Sequence, residues 1–156
     1  MTSNITHSEL VEIGRNFLLK NLKYGIVTTE LSTAARETPD IFGLRSYYSI
    51  VIECKVSRAD FLKDKKKPFR QFPEQGMGNF RLFLCPDGLI LKEELPQKWG
   101  LLYWTGKRIK KIVCPAGNAW DYTGRDLMFI EKNHIAEYQF MVSLLRRIKL
   151  NLPYEI

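Results

Sequence analysis

The chain has 156 residues, 45% hydrophobic and 26% charged, which is typical of a soluble globular protein and excludes a disordered tail. No apolar run approaches the roughly 18 residues of a membrane span, and the N-terminus lacks a secretory signal, so we expect one cytoplasmic domain over residues 1–156. The 24 Lys and Arg against 17 Asp and Glu give a net charge of +7, which favours a polyanionic partner.

The first half of the chain predicts one helix and three strands. Residues 6–22 have the apolar spacing of an amphipathic helix, and Thr6 and Glu9 have the spacing of a capping box. Residues 24–31 are rich in β-branched side chains, and residues 40–44 follow Pro39 as a short second strand. Residues 47–56 form the strongest strand pattern, so we expect this strand to lie centrally in a sheet.

The second half predicts a crossover helix, further strands and a closing helix. Ser57 is an N-cap candidate for a helix that runs towards Lys67 and ends before Pro68. Residues 68–79 contain two prolines and two glycines and predict a mobile loop. A strand at 81–85, a hairpin over 100–113 and a helix over 127–150 complete the chain. This order predicts a mixed α/β sheet with helices packed on it.

Glu53 and Lys55 are two charged residues at the C-terminal end of one face of the strand over residues 47–56, whereas the opposite face is entirely apolar. Alternation places them on the same face, and charged groups are costly to bury unless they are paired or bind an ion. One interpretation is a salt bridge at a strand end that reaches solvent. The other is a hard cation on Glu53, with Lys55 beside it to meet an anionic oxygen.

Asp40 favours the second interpretation, because adjacent strands can bring it close to Glu53. Mg²⁺ prefers oxygen ligands, so two carboxylates and a backbone carbonyl such as that of Cys54 would suffice to hold it. Such a cation would polarise a scissile phosphate, while Lys55 positions water or stabilises developing charge. We expect Asp40, Glu53 and Lys55 to converge in an open cleft.

Pro39-Asp40, a gap of twelve residues and Glu53-Cys54-Lys55 resemble the signature of PD-(D/E)XK nucleases. The flanking runs ECKVSRADFLKDKK, NFRLFLCPDGLI and ELPQKWGLLYW are similar to a bacterial and phage branch of MmcB-like DNA repair proteins and nucleases. The resemblance covers about residues 8–113. It implies a restriction-endonuclease-like fold, Asp40 and Glu53 as ligands of Mg²⁺ or Mn²⁺, and Lys55 as the catalytic lysine.

Many members of that superfamily also use a glutamate on the first helix. Glu9 lies nearer the usual position than Glu12, so the resemblance makes Glu9 a further candidate catalytic residue. The capping box with Thr6 is an equally good explanation for Glu9, and Glu12 has the pattern of a solvated residue.

A cluster of basic residues next to the central strand predicts a nucleic-acid surface. Cations that neutralise phosphates release counterions and give sequence-tolerant binding. A solvated helix face with a flexible basic end is the alternative. The candidate DNA-binding residues are Arg36, Arg58, Lys63, Lys65, Lys66, Lys67 and Arg70.

The leading hypothesis is a metal-dependent DNA endonuclease or exonuclease of DNA repair, recombination or phage DNA processing. The alternative is a non-catalytic nucleic-acid-binding or assembly module that retains the nuclease fold. DNA is the expected partner and a membrane is not. A homodimer is compatible with the sequence without being required by it. His7 and His134 show no partners at metal-ligand spacing, so we expect no cofactor besides the divalent cation.

Overall fold

The computed structural model describes residues 4–115 and 126–153. The α-helices are α1 (His7–Lys20), α2 (Arg58–Asp64), α3 (Pro68–Gln71) and α4 (His134–Lys149). The strands are β1 (Ile26–Thr29), β2 (Ile41–Leu44), β3 (Ser49–Cys54), β4 (Phe80–Pro86), β5 (Gly100–Trp104) and β6 (Ile109–Val113). Two 3-10 turns, Pro73–Gln75 and Lys92–Glu94, precede β4 and β5 respectively.

The six strands form one sheet in the order β1-β2-β3-β4-β5-β6. The β3–β4 and β4–β5 pairs are parallel, and the other three pairs are antiparallel. The connection from β3 to its parallel neighbour β4 carries α2 and α3, as a crossover between parallel strands requires. The predicted mixed α/β sheet flanked by helices is therefore confirmed.

Helix α1 covers one face of the sheet. Its predicted capping box is present, with the Thr6 hydroxyl accepting from Glu9 N–H and the Glu9 carboxylate accepting from Thr6 N–H. Gly14 allows the helix to approach closely, because a Cβ there would lie 2.5 Å from the Ile41 side chain. Leu10 and Leu18 on this helix pack with apolar residues of β2, β3 and β4 in one core cluster.

The opposite face of the sheet is covered by α2 and α4. Phe61 of α2 packs edge-on against Phe83 of β4, and Phe140 of α4 packs edge-on against Phe42 of β2. Strand β3 is buried along its whole length, because its two faces meet different helix layers. Its Ile50, Ile52 and Cys54 pack in the α1 cluster, and Val51 packs in the α4 cluster.

Two segments differ from the sequence expectations. Residues 68–79 are not a loop throughout, because they contain α3 and a 3-10 turn, and the buried Arg81 guanidinium anchors their second half by donating to the carbonyls of Pro73, Gly76 and Gly78. Helix α4 begins at His134 instead of residue 127, because the Asn133 side chain caps it by accepting from Ala136 N–H. Among residues 4–115 and 126–153, no helix has the length and apolarity to cross a bilayer.

Candidate active site at the end of the central strand

Asp40 and Glu53 converge at the end of the antiparallel β2–β3 pair. The register pairs Ile41 with Ile52, so its continuation by one residue places Asp40 opposite Glu53 on the same face. The Asp40 Oδ2 atom accepts a 2.8 Å hydrogen bond from Cys54 N–H. Cys54 thus contacts Asp40 through its backbone N–H. The role of the Cys54 carbonyl as a metal ligand stays a prediction. The geometry brings the two predicted carboxylates together.

Glu53 lies inside the protein with both carboxylate oxygens near cations. Its exposed fraction is 3%, and its Oε1 lies 3.2 Å from Arg70 Nη2 while its Oε2 lies 3.7 Å from Lys55 Nζ. Burial, with a smaller contribution from the Asp40 charge, outweighs the lowering effects of Arg70 and Lys55 and raises the pKa of Glu53 to about 7. Glu53 therefore changes its charge near neutral pH.

Lys55 is held beside Glu53 by a second carboxylate. Its Nζ lies 3.1 Å from Asp64 Oδ1 on α2, and only 5% of the residue is exposed. Burial lowers the pKa of Lys55, but the charges of Glu53 and Asp64 outweigh that effect and hold the pKa above its usual value. The ammonium consequently stays protonated at neutral pH, which suits electrostatic stabilisation and excludes a role as general base.

Arg70 of α3 closes the site over Glu53 and Lys55. Its guanidinium reaches Glu37 Oε1 at 3.1 Å and Asp64 Oδ2 at 2.6 Å, and lies 4.5 Å from the centre of the Trp99 ring. Lys67 adds a 2.8 Å contact to Asp64. We call this set the buried ion network: Glu37, Glu53, Lys55, Asp64, Lys67 and Arg70. Within the described part of the chain, Glu53 and Lys55 are buried and only Asp40 is partly exposed, so the three residues do not meet in the expected open cleft.

A second group of potential ligands lies on the other side of Asp40. His7 Nε2 is 3.3 Å from Asp40 Oδ2, and His7 Nδ1 is 3.6 Å from Glu30 Oε1. One donor atom from each of these three residues lies within 4.8 Å of the other two. Glu30 has a φ of 48°, an unusual backbone conformation for a side chain of this kind. Unlike Glu53, this group is partly exposed to solvent.

Glu9 does not join Asp40, so its predicted catalytic role is not supported by its position. Its Oε2 accepts from Thr6 N–H at 2.8 Å and from the Thr6 hydroxyl at 2.7 Å, so the capping-box explanation accounts for it. These hydrogen bonds lower the pKa of Glu9. The residue lines a shallow groove beside Trp104 and the exposed Glu12. His7 is the α1 residue that reaches Asp40.

Some of the predicted DNA-binding residues are exposed, and others form ion pairs with carboxylates of the protein. Arg58 is exposed, but it forms two 2.6 Å hydrogen bonds with Glu94. Lys67 is half-buried, and Arg70 is buried by its contacts with three carboxylates, so the expectation that Arg70 lies on the DNA surface is wrong for this structure. The other candidates on the surface are Arg36, Lys63, Lys65 and Lys66.

Sequence reasoning missed Asp64, Glu37 and His7. Asp64 had a usable signal, because it follows the buried Phe61 by three helical positions and therefore shares its inward face. Glu37, which also accepts a hydrogen bond from Met77 N–H, lies in an irregular segment without periodicity. His7 is 33 positions from Asp40, and only the tertiary fold brings the two residues together.

A solved structure similar to this chain is the SPO1766 protein of unknown function from Silicibacter pomeroyi. The two share 20% sequence identity with a TM-score of 0.59, over 94% of this chain and 92% of that chain. At this level of identity the likeness concerns the fold. No protein-family model matches this chain. The curated proteins gave no match either.

Proposed function

We propose that this chain is a metal-dependent nuclease that hydrolyses DNA phosphodiester bonds, with Asp40 as its central metal ligand. The observation that carries the proposal is the meeting of Asp40 with Glu53 and Lys55 at one end of the β2–β3 pair. Two carboxylates and an ammonium are a suitable set for a divalent cation and a phosphate oxygen. The resemblance to PD-(D/E)XK nucleases includes these same three residues, together with the runs that flank them.

The donor chemistry around Asp40 fits a divalent cation. Asp40 supplies a carboxylate that is only partly buried, and His7 and Glu30 supply nearby nitrogen and oxygen donors. Glu53 supplies the right donor type, but Arg70 lies against its Oε1. A cation and the Arg70 guanidinium are therefore alternative partners of Glu53. When bound, the cation would polarise the phosphodiester and favour ionisation of water.

The other residues of the site have roles that follow from their contacts. The Cys54 N–H fixes the orientation of the Asp40 carboxylate through their hydrogen bond. Asp64 holds the Lys55 ammonium next to Glu53, so that its positive charge is in place before a negatively charged transition state forms. Lys55 is thus proposed to stabilise charge and not to remove a proton.

In this proposal, a cation reaches Glu53 Oε1 after Arg70 has left it. Arg70 belongs to α3, a four-residue helix that begins at Pro68. The neighbouring Lys63, Lys65 and Lys66 are exposed cations on the same connection between β3 and β4. We propose that DNA phosphates bound by these lysines, together with the metal ion, favour a state in which Arg70 is displaced.

The closed buried ion network favours a second candidate function. A chain in which Arg70 permanently neutralises Glu53 would bind nucleic acid or a partner protein without cutting. In that case the network would serve to hold the β3–β4 connection onto the sheet, through contacts of Arg70 with Glu37 and Asp64.

Digestion of a panel of labelled DNA and RNA substrates in Mn²⁺ or Mg²⁺ separates these functions. The nuclease proposal predicts cleavage of DNA that is abolished by EDTA and by Asp40→Asn. The matched control is Asp87→Asn, which removes a carboxylate from an exposed turn after β4. DNA binding without cleavage in either metal would favour the non-catalytic module, and cleavage by Asp40→Asn would contradict the proposed site.

A further inference from the structure

Helix α4 exposes an apolar stripe along its outer side. Ile135, Tyr138, Val142 and Leu145 are exposed by 71%, 65%, 38% and 64% respectively. They follow one another at intervals of three and four residues, the spacing of the contact positions in paired helices. Met141 and Ile148, also exposed, widen the stripe on one side.

The stripe does not contribute to the core that folds the domain. The opposite side of α4 supplies that contact, through the buried Ala136, Phe140 and Leu144. Phe140 alone packs its ring 4.6 Å from that of Phe42 on β2. The helix is therefore apolar on two sides, and only one side has a partner among the described residues. A continuous exposed apolar surface of this kind marks a docking site.

We propose that a second copy of this chain covers the stripe, with the two α4 helices packed antiparallel about a two-fold axis. The axis would pass near Met141 and Val142, placing Tyr138 of each copy opposite Leu145 of the other. The stripe is then complementary to itself, as an isologous interface requires. This interface is independent of the proposed nuclease function.

The charges at the two ends of α4 select the antiparallel arrangement. Arg146 and Lys149 are exposed at its C-terminal end, and Glu131 is exposed just before its N-terminal end. A parallel pair would bring the basic ends of both copies together. An antiparallel pair brings Glu131 of one copy towards Lys149 of the other and also opposes the two helix dipoles.

The same distribution of charge argues against a membrane surface as the occupant. A helix that lies on an anionic bilayer carries Lys and Arg along its polar face. In α4 the side opposite the stripe packs on the sheet, and the exposed cations gather in the last turn. Anionic vesicles therefore belong in the experiment as a competing outcome.

The test combines sedimentation velocity with cysteine cross-linking of the full chain. We expect the parent chain to be a dimer and Leu145→Glu to be a monomer with an unchanged circular dichroism spectrum. Leu62→Glu, at an exposed position of α2, should leave the dimer intact. We also expect diamide to join Val142→Cys chains into a disulfide dimer, since oxidation of two thiols near the axis forms one bond. The parent chain, with its own three cysteines, and Lys107→Cys are the controls.

A mixed cross-link reports the direction of the pair. Ile135→Cys chains should cross-link to Ile148→Cys chains and not to themselves, since the two positions lie about 20 Å apart along one helix. A monomer at every concentration, with or without flotation on phosphatidylserine vesicles, would overturn the proposal. Self-linking of Ile135→Cys would also overturn it, because this would mean parallel helices, and so would a dimer that is insensitive to Leu145→Glu.

Discussion

The Arg70 guanidinium lies 3.2 Å from the Glu53 carboxylate, in the position of a counter-ion for a residue proposed to bind metal. Both side chains are buried, and Arg70 also contacts Glu37 and Asp64. Arg70 thus contacts all three carboxylates of the buried ion network, whereas Lys55 contacts two of them and Lys67 one. Removal of the Arg70 guanidinium leaves these buried carboxylates less well neutralised. It also frees the Glu53 oxygen that is proposed to bind metal.

Arg70→Gln is expected to destabilise the fold by about 3–5 kcal/mol, because it leaves buried carboxylates without their principal counter-ion. Mn²⁺ should restore part of this loss, since a divalent cation can replace the missing positive charge. Urea unfolding with and without Mn²⁺ measures both effects. The control Arg58→Gln removes an arginine from an exposed pair with Glu94 and should change stability little. Equal stability of Arg70→Gln in EDTA and Mn²⁺ would contradict competition at Glu53.

The raised pKa of Glu53 predicts that the protein becomes less stable as pH rises. Its pKa is raised from an ordinary value near 4.5 to about 7 in the folded chain, so the folded state binds one more proton than the unfolded state between these values. Its contribution therefore favours folding below pH 4.5 and falls as pH rises to about 7. Urea unfolding of the parent chain and of Glu53→Gln, each measured as a function of pH, isolates the contribution of Glu53. The variant should lack this pH-dependent loss of stability.

Asp64 has the opposite pH dependence and contributes to the loss of stability in acid. Contacts with Arg70 and Lys67 outweigh the effect of burial and lower the pKa of Asp64 from 3.8 to about 2. Its contribution to stability is thus complete above pH 3.8 and is lost as pH falls through about 2. The pH ranges over which Asp64 and Glu53 change stability do not overlap. The effect of Glu53 on the free energy of unfolding can therefore be measured between pH 4.5 and 7 without a contribution from Asp64. A Glu53→Gln variant with the parent's slope in that range would contradict the assignment.

Lys55→Met is expected to keep metal and DNA binding and to lose cleavage by roughly 10²–10³-fold, because a fixed charge near the reacting phosphate is removed. Metal titration, DNA binding and single-turnover cleavage measure the three properties separately. Lys63→Met removes an exposed lysine from α2 and is the matched control. Full cleavage by Lys55→Met would remove the lysine from the mechanism.

Lys65 and Lys66 are expected to contact DNA phosphates. Replacing both with alanine should weaken binding to all sequences alike and reduce the slope of log affinity against log salt by about 2. The double variant Lys110→Ala and Lys111→Ala has the same charge change on the edge strand β6 and should retain the parent slope. Equal losses in both double variants would indicate a general effect of net charge.

The sheet could be predicted from sequence because its strands have strong local patterns. Residues of β3 are apolar on the α1 side, and β4 ends at Pro86 before a turn that carries Gly88. The ordered path of residues 73–78 could not be predicted in this way. It depends on the Arg81 side chain, which donates to three carbonyls of this stretch.

Within the candidate site, the spacing of Asp40, Glu53 and Lys55 in sequence sufficed to expect their convergence. The burial of Glu53 and Lys55 could not be predicted, because Arg70 on α3 comes next to Glu53 only in the folded chain. The catalytic contribution expected of Glu9 stays a prediction, and the hydrogen bonds that Glu9 makes are those of the capping box. A capping hydrogen bond to Thr6 competes for the same carboxylate, and the sequence gives no weight to either partner.

Titration of Mn²⁺ into the metal-free chain by isothermal calorimetry tests the central claim most directly. We expect a saturable site whose binding strengthens as pH rises through about 7, because Glu53 must lose its proton. Asp40→Asn should abolish this binding, and Glu53→Gln should weaken it and remove its pH dependence. Binding that is unchanged in both variants would contradict the account.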